Sequence, residues 1–412
     1  MSTTLSTQAE IFLEALAKAL EIPQSRYEQA ETSYKSLGEW LHRNDSKIRS
    51  YDPEVFVQGS FRLGTVIKPG SESEEYDIDS VCLLRELSKS DLSQAKLKEL
   101  VGEEVKLYRT ARGMTKRVQE SRRCWRLEYS DDAQFHMDIL PALPNGQYQR
   151  LLLEARALDT RFSDTAIAIT DNEVVQYQDV TEDWPRSNPK GYADWFTERM
   201  GPVFVHRREQ VLNEIRAGGV TASIEDVPVY RVRTPLQSAI MILKRHRDTM
   251  FAENPEIKPI SIILTSLSAH AYSGEENIGL ALLSILTRME RAIEHDGVEY
   301  WVRNPTDPLE NFADKWNEYP ERASAFFDWL NQARNDFGDV AALVEYQRMS
   351  NILVHRVGRE VAAAATDSAL QRSHQGGRAS LVRGAAAASA LTPESVSFAD
   401  TPRVPKKPEG FA

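Results

Sequence analysis

The chain has 412 residues, of which 41% are hydrophobic and 27% are charged, and its formal net charge is −11. This size and composition predict a soluble globular protein of two or three domains, or of two lobes sharing one cleft. The acidic balance argues against a protein that coats a long nucleic acid, because phosphate neutralisation needs surplus lysine and arginine. No apolar run approaches the roughly 18 residues of a membrane helix, and no signal peptide opens the chain, so we expect a cytoplasmic protein without membrane association.

The pattern of apolar residues changes along the chain. Residues 1–50 show helical spacing interrupted at Pro23, which predicts two amphipathic helices. Residues 51–200 contain a helical stretch near 92–107 among short strand-like runs, and residues 201–362 are helical with Pro and Gly breaks. The predicted strands are 55–58, 78–84, 124–129, 135–140 and 165–170. We therefore predict an α+β fold in which a mixed β-sheet lobe flanked by helices precedes a mainly α-helical second lobe.

Two further segments are defined by composition. Cys82 and Cys124 are too few for a disulfide framework or a Cys-rich zinc site, and each lies in a strand-like run, so both are expected to be buried, reduced and inert. Residues 363–412 are rich in Ala, Ser, Pro and Gly. Such a segment buries too little apolar surface to offset its ordering entropy, which predicts a flexible C-terminal tail with transient helix in its alanine runs.

Three aspartates carry the predicted chemistry. Side chains alternate faces along a strand, so Asp77, directly before the run at 78–84, and Asp79 within it point to the same side. Asp138 stands in a second strand-like run, where an unpaired buried carboxylate would be costly. Carboxylate oxygens are the ligands that magnesium prefers. The three aspartates therefore predict a site for two Mg²⁺ ions, with Mn²⁺ as a substitute. We interpret the neighbouring His136 as a strand residue near the site and not as a ligand.

A short polar segment follows the first predicted strand. Gly59 and Ser60 come directly after the run at 55–58, which ends at Gln58, and they precede a predicted helix start. Backbone N–H groups and a hydroxyl in such a turn hold phosphate, and a glycine lets the phosphate approach the backbone. We expect Gly59 and Ser60 to hold a phosphate group of a nucleotide.

Several sequence segments together resemble a known family. GSFRLGTVIKP, DIDSVCLL and FHMDILPALP resemble the polymerase-β-type nucleotidyltransferase superfamily, and within it the bacterial cGAS/DncV-like nucleotidyltransferases (CD-NTases). The resemblance spans residues 10–350 and includes KRHRD and ENFADKW in the second lobe. It implies a bilobal enzyme with N-terminal helices packing across the lobes and a catalytic core at 51–200. It also implies that Lys244 and Ser261 clamp a donor triphosphate, in a site that Gln58 and Ser60 line.

The residues alone leave other roles open for this pair. The residues fit Lys244 as a cation on a helix surface as well as they fit a phosphate ligand. In the same way, Ser261 fits the N-cap of a helix after Pro259.

The resemblance implies a function and a set of partners. It implies synthesis of a cyclic di- or trinucleotide second messenger from nucleoside triphosphates, ATP or GTP, with pyrophosphate release, in CBASS-type antiphage defence. Two magnesium ions would orient the donor triphosphate and an acceptor ribose hydroxyl, which Asp138 positions or deprotonates. The downstream effector is expected to bind only the product. Because the chain lacks the Cys/His cluster of the DNA-gripping zinc insertion in animal relatives, no DNA activator is expected.

Other interpretations remain open. A template-independent terminal nucleotidyltransferase acting on RNA shares the aspartate geometry but needs a basic groove, which the net charge does not favour. The densest basic stretch, 116–126, is either a phosphate contact or a solvated face. Enzymes that transfer a nucleotide to a protein are usually much shorter than this chain. A non-catalytic interaction module would not need all three aspartates. In some such defence systems a ubiquitin-transferase-like partner conjugates the synthase's C-terminal carboxylate, here that of Ala412.

Overall fold

The computed structural model describes residues 5–70, 76–129, 135–217 and 232–381. They divide into two compact units, each assembled from separate stretches of the chain. The sheet unit contains residues 23–63, 76–129 and 135–195, and the helical unit contains residues 5–22, 64–70, 196–217 and 232–381. No helix within these described ranges is long and apolar enough to cross a membrane. The predicted conjugation site Ala412 lies outside the described residues.

The structure has a strand at each of the five predicted positions and a helix over the predicted stretch near 92–107, and it adds short strands at 119–120, at 186–187 and within 294–311 that were not predicted. The helices are α1 (Thr7–Leu20), α2 (Gln24–Leu41), α3 (Gly59–Leu63), α4 (Gln94–Ala111), α5 (Gly146–Glu154), α6 (Pro189–Ala217, broken at Gly201), α7 (Pro235–Met250), α8 (Ser261–Ala271), α9 (Ile278–Arg288), α10 (Asp314–Glu318), α11 (Pro320–Ala341), α12 (Tyr346–Val357) and α13 (Arg359–Leu381). The strands are β1 (Pro53–Val57), β2 (Tyr76–Leu84), β3 (Gln119–Glu120), β4 (Trp125–Glu128), β5 (Phe135–Pro144), β6 (Ile167–Ile169), β7 (Arg186–Ser187), β8 (Glu294–His295), β9 (Tyr300–Trp301), β10 (Arg303–Asn304) and β11 (Asp307–Asn311).

A mixed sheet of seven strands forms the framework of the sheet unit. Its order is β1-β2-β5-β4-β3, and β6 pairs with both β5 and β7. The central pair, β2 and β5, is parallel, whereas β1 and β4 run antiparallel to their neighbours. Phe56, Val81, Leu140 and Ile167 belong to one buried cluster that joins four of these strands. This core fixes the register of β2 against β5, because a slip of one residue would turn the apolar side chains to the other face.

The cysteines are as inert as predicted but differ in burial. Cys82 is buried in β2, whereas Cys124 is only partly buried, directly before β4, which corrects the expectation that both are buried. Burial raises the pKa of each thiol to about 12, and the carboxylate of Asp138 adds to this effect at Cys124. Both side chains are therefore protonated at neutral pH.

Helix α7 is the buried centre of the helical unit. It begins with a capping box in which Thr234 and Gln237 bond reciprocally, and Pro235 occupies the first turn. Four consecutive basic residues near its end are buried, and each has a specific partner in the unit. Lys244 bonds Thr65, Arg245 bonds the carbonyls of Lys68 and Pro69, His246 bonds Asp336, and Arg247 bonds Asp248, Pro259 and Ser261.

The two terminal segments have different outcomes. The two helices predicted within residues 1–50 are present as α1 in the helical unit and α2 in the sheet unit, and their packing across the lobes stays a prediction. The expected flexible tail at 363–412 is wrong for its first part, since α13 continues to Leu381 and packs against α1 and α12. Ala362, Ala365 and Ala369 are fully buried on one helix face, and their small side chains let the neighbouring helices approach closely. Residues 382–412 lie outside the described residues.

Candidate active site

The parallel pairing of β2 and β5 brings the predicted aspartates together. Ile78 and Ser80 are buried, so Asp77 and Asp79 occupy the opposite, more exposed face of β2. In the register of the two strands Asp79 lies beside Asp138, and Asp77 lies beside His136. All four side chains therefore share one face of the sheet, as the strand periodicity predicts for the aspartates.

Three of these side chains form a cluster suited to a metal ion. One ligand atom each from Asp77, His136 and Asp138 lies within 4.8 Å of the other two. His136 Nε2 is 3.2 Å from Asp77 Oδ1, and this hydrogen bond raises the pKa of the imidazole. Asp138 is only 12% exposed, yet Asp77 is 56% exposed and accessible from solvent. Carboxylates from two strands, one nearly buried and one open, fit a divalent cation with space for substrate oxygens.

An arginine from the basic stretch 116–126 lies beside this cluster. The antiparallel pairing of β4 and β5 sets Arg126 opposite Asp138. Its Nε and Nη2 donate to Asp138 Oδ1 and Oδ2 at 2.8 and 2.9 Å, and these bonds raise the pKa of the guanidinium. The bidentate pair offsets the charge of a nearly buried carboxylate. The position of Arg126 opposite Asp138 depends on the register of β4 and β5, which the residues alone do not give.

The rest of the basic stretch 116–126 is engaged mostly in structural ion pairs. Arg122 and Arg123 both bind Asp171, which is 1% exposed. Burial alone would raise the pKa of this carboxyl, but the two guanidiniums lower it to about 2. Lys116 pairs with Glu128 on β4. These cations are held by carboxylates of their own unit, which favours neither a phosphate contact nor a groove for RNA at this place.

The Gly-Ser segment lies directly against Asp79. Gly59 opens α3 with a φ of +62°, and a Cβ there would lie 2.6 Å from Asp79 Oδ2. The backbone N–H of Gln58 donates to the carbonyl of Asp79 at 2.8 Å. Ser60 occupies the next position of α3 and is half-buried. Glycine is required at position 59 for both backbone conformation and space. The predicted phosphate contacts of all three residues stay a prediction.

Lys244 and Ser261 belong to the helical unit. Lys244 on α7 is 5% exposed, and its Nζ donates to the carbonyl and hydroxyl oxygens of Thr65, both at 3.1 Å. It is therefore not a cation of the helix surface. Ser261 is the first residue of α8, and the N-cap is Ile260, so the N-cap interpretation of Ser261 is wrong. The Ser261 hydroxyl accepts a hydrogen bond from Arg247 at 3.0 Å.

Comparison with known proteins identifies the family. The family described as "Cyclic GMP-AMP synthase DncV-like, nucleotidyltransferase domain" matches residues 53–141, which include β1, β2 and all three aspartates. A c-di-GMP synthase of Roseivirga ehrenbergii is 30% identical over 342 residues, which are 82% of this chain and 81% of the relative. The chain belongs to the DncV-like nucleotidyltransferases.

Two further likenesses agree with this membership. The cyclic dinucleotide synthase CdnG of Bradyrhizobium diazoefficiens is 23% identical to this DncV-like nucleotidyltransferase over 338 residues, 78% of this chain and 74% of the relative. The structure of the Bradyrhizobium diazoefficiens CD-NTase CdnG in complex with GTP aligns with a TM-score of 0.63 at 18% identity, over 87% of this chain and 98% of that chain. The predicted α+β nucleotidyltransferase fold is thereby confirmed.

Proposed function

We propose that this DncV-like nucleotidyltransferase makes a cyclic dinucleotide from nucleoside triphosphates and releases pyrophosphate. The carrying observation is the register of β2 and β5, which sets Asp79 beside Asp138 and places Asp77 on the same face. Relatives named c-di-GMP synthase and cyclic dinucleotide synthase, and a related structure in complex with GTP, support GTP as a substrate, with ATP as the second candidate. A cyclic trinucleotide is the wider alternative.

The proposed chemistry assigns a role to each acidic residue. Asp77, Asp79 and Asp138 would hold two Mg²⁺ ions, which when bound would stabilise charge on the transferring phosphoryl group. Asp138 positions the acceptor ribose hydroxyl and takes its proton on a carboxylate oxygen. The hydroxyl oxygen forms a bond to the α-phosphorus while the bond from that phosphorus to the pyrophosphate oxygen breaks. A second round on the linear intermediate closes the ring.

The remaining predicted residues hold phosphate. The backbone at Gln58 and Gly59 and the hydroxyl of Ser60 would contact the donor phosphates, because a glycine leaves room beside the backbone. Lys244 and Ser261 are the further residues that the resemblance assigns to the donor triphosphate. A role in CBASS-type antiphage defence follows from the proposed product, whose effector would bind the nucleotide and not the enzyme.

Product analysis tests this proposal against the RNA-directed alternative. Purified protein is incubated with labelled triphosphates and Mg²⁺, with and without an RNA acceptor, and the products are treated with phosphatase. We expect a small phosphatase-resistant product that forms without RNA. Extension of the RNA, with no small resistant product, would replace the proposal by terminal transfer.

A further inference from the structure

Residues 64–70 form an irregular segment of the helical unit that is held by buried or partly buried cations. At its start, Arg233 Nη1 donates to the carbonyl oxygen of Gly64 at 2.7 Å. Near its end, the guanidinium of Arg245 donates to the carbonyl oxygen of Lys68. Bonds from guanidinium groups near both ends therefore fix the backbone of this segment, although it contains neither helix nor strand.

Thr65 lies between these two anchor points and is fully buried. Its carbonyl and hydroxyl oxygens each accept a hydrogen bond from Lys244 Nζ at 3.1 Å. The side chain of threonine is β-branched and has few rotamers, so the hydroxyl keeps its position. An ammonium group has three donors, and Thr65 binds two of them. One residue on a fixed backbone therefore sets the direction of the Lys244 ammonium.

The two oxygens of Thr65 that hold Lys244 are uncharged. They differ in this from the carboxylate of Asp171, which pairs with Arg122 and Arg123 in the sheet unit and offsets their charge. A carbonyl and a hydroxyl orient an ammonium without cancelling its charge. The attraction between that charge and an anion is stronger at a buried position than in water, because the local dielectric constant is lower. The bonds to Thr65 are therefore suited to an ammonium that has to bind an anion.

We propose that Thr65 is a positioning residue, which orients the Lys244 ammonium for a phosphate oxygen of the nucleoside triphosphate and does not itself touch the nucleotide. The proposal rests on the proposed function, because it takes from it the assignment of Lys244 to the donor triphosphate. A lysine ammonium ends a flexible four-carbon stem, and ordering such a side chain costs binding free energy. A Lys244 side chain that Thr65 already holds in place loses less freedom when the nucleotide binds.

Substitutions at position 65 separate the hydroxyl from the shape of the side chain. Thr65→Val keeps the branched shape without the hydroxyl, and Thr65→Ser keeps the hydroxyl. Thr65→Cys repeats the test with a weak acceptor in place of the serine oxygen. The assay is steady-state pyrophosphate release from GTP with Mg²⁺ by the full chain. Because a bond to a charged group is lost, the KM for GTP is expected to rise about tenfold in the valine and cysteine variants with constant kcat, and Thr65→Ser should keep most of the wild-type affinity.

Thr366 on α13 supplies the matched control. Its hydroxyl is also buried and donates to the carbonyl oxygen of Ala362 at 2.8 Å. Thr366→Val therefore removes a buried threonine hydroxyl that has no bond to Lys244, and it should retain the wild-type KM. Urea unfolding measures the stability of every variant. A KM for GTP that is the same in Thr65→Val, Thr65→Cys and Thr366→Val would overturn the proposal.

A double-mutant cycle with Lys244→Met tests whether Thr65 acts through Lys244. Titration calorimetry with GTP in EDTA, where no turnover occurs, compares the wild type, Thr65→Val, Lys244→Met and the double variant. Thr65→Val should lower the GTP affinity about tenfold in the wild-type chain and leave it unchanged in the Lys244→Met chain. The same loss in both chains would show a merely structural role and overturn the proposal. A wild type that binds GTP but forms no cyclic product would contradict the proposed function, whereas the cycle would still decide the role of Thr65.

Discussion

Substitution of Gly59 by alanine should cost far more activity than stability. The φ of +62° is a left-handed conformation, which costs a residue with a side chain about 1–2 kcal/mol. The new Cβ would also stand 2.6 Å from Asp79 Oδ2, so the carboxylate must retreat by about 0.8 Å to reach ordinary contact at 3.4 Å. A misplacement of about 1 Å at a reacting centre costs roughly 100-fold in rate. We therefore expect a fall of about 100-fold in pyrophosphate release.

Gly113 supplies the matched control for this prediction. Its φ is +64°, and no atom lies within 4 Å of a Cβ built there, so Gly113→Ala carries the backbone cost without the clash. Pyrophosphate release from GTP with Mg²⁺ and urea unfolding are measured on both variants. Both should lose a similar free energy of unfolding, and only Gly59→Ala should lose the rate. Equal rates in the two variants would refute the reasoning that Gly59 makes room for Asp79.

Three further predictions follow from other contacts. Arg126→Gln removes a cation that competes for Asp138, so calorimetry should show Mn²⁺ binding about two- to fivefold tighter, and unchanged or weaker binding would deny that competition. Asp171→Asn should lower the free energy of unfolding by about 2 kcal/mol at pH 7, because the depressed pKa of the Asp171 carboxyl stabilises the fold above about pH 4. Urea titrations should show the difference between variant and wild type shrinking as the pH falls from about 4 to 2. A difference that stays constant over this range would contradict the prediction. Ala365→Leu should destabilise the fold by about 1–3 kcal/mol through overpacking, whereas Ala363→Leu on the exposed face of α13 should not. Thermal unfolding measures both variants, and equal melting temperatures would support the flexible tail that the composition predicts.

Local periodicity was enough to place the aspartates. Alternation along one strand sets Asp77 and Asp79 on one face, and Asp138 follows the same rule in its own strand. His136 and Arg126 complete the surroundings of the site through pairing between strands. That pairing depends on which strands are neighbours and in which register, and neither is encoded in the residues next to these two positions. The sequence predicts His136 as a strand residue near the site, but it does not predict the 3.2 Å contact of its Nε2 with Asp77 Oδ1.

The C-terminal segment illustrates a different limit. Its composition predicts flexibility because small residues bury little surface. Composition does not include the spacing of the alanines along the chain. Ala362, Ala365 and Ala369 recur at helical spacing and are fully buried on one face of α13. A row of small side chains packs well only if a partner helix is present, and α1 from the opposite end of the chain supplies it. The spacing of the alanines could have predicted a packed helix face, but the sequence does not indicate that α1 is the helix that covers it.

The partners of the basic residues on α7 also required the structure. Lys244 was assigned by resemblance, and its bonds to Thr65 depend on a segment far away in the sequence. The same holds for Arg247, which ties Ser261 to α7. A helical pattern predicts that these residues lie on a helix, but it does not predict what each one contacts.

The central claim is that the acidic cluster converts nucleoside triphosphates into a cyclic dinucleotide. The most direct measurement is mass spectrometry of the products that wild-type protein and the Asp77→Asn/Asp79→Asn variant form from GTP and ATP with Mg²⁺. We expect a cyclic dinucleotide with two equivalents of pyrophosphate from the wild type, and neither product from the variant. A cyclic product that persists in the variant, or a wild type that yields only linear products, would contradict it.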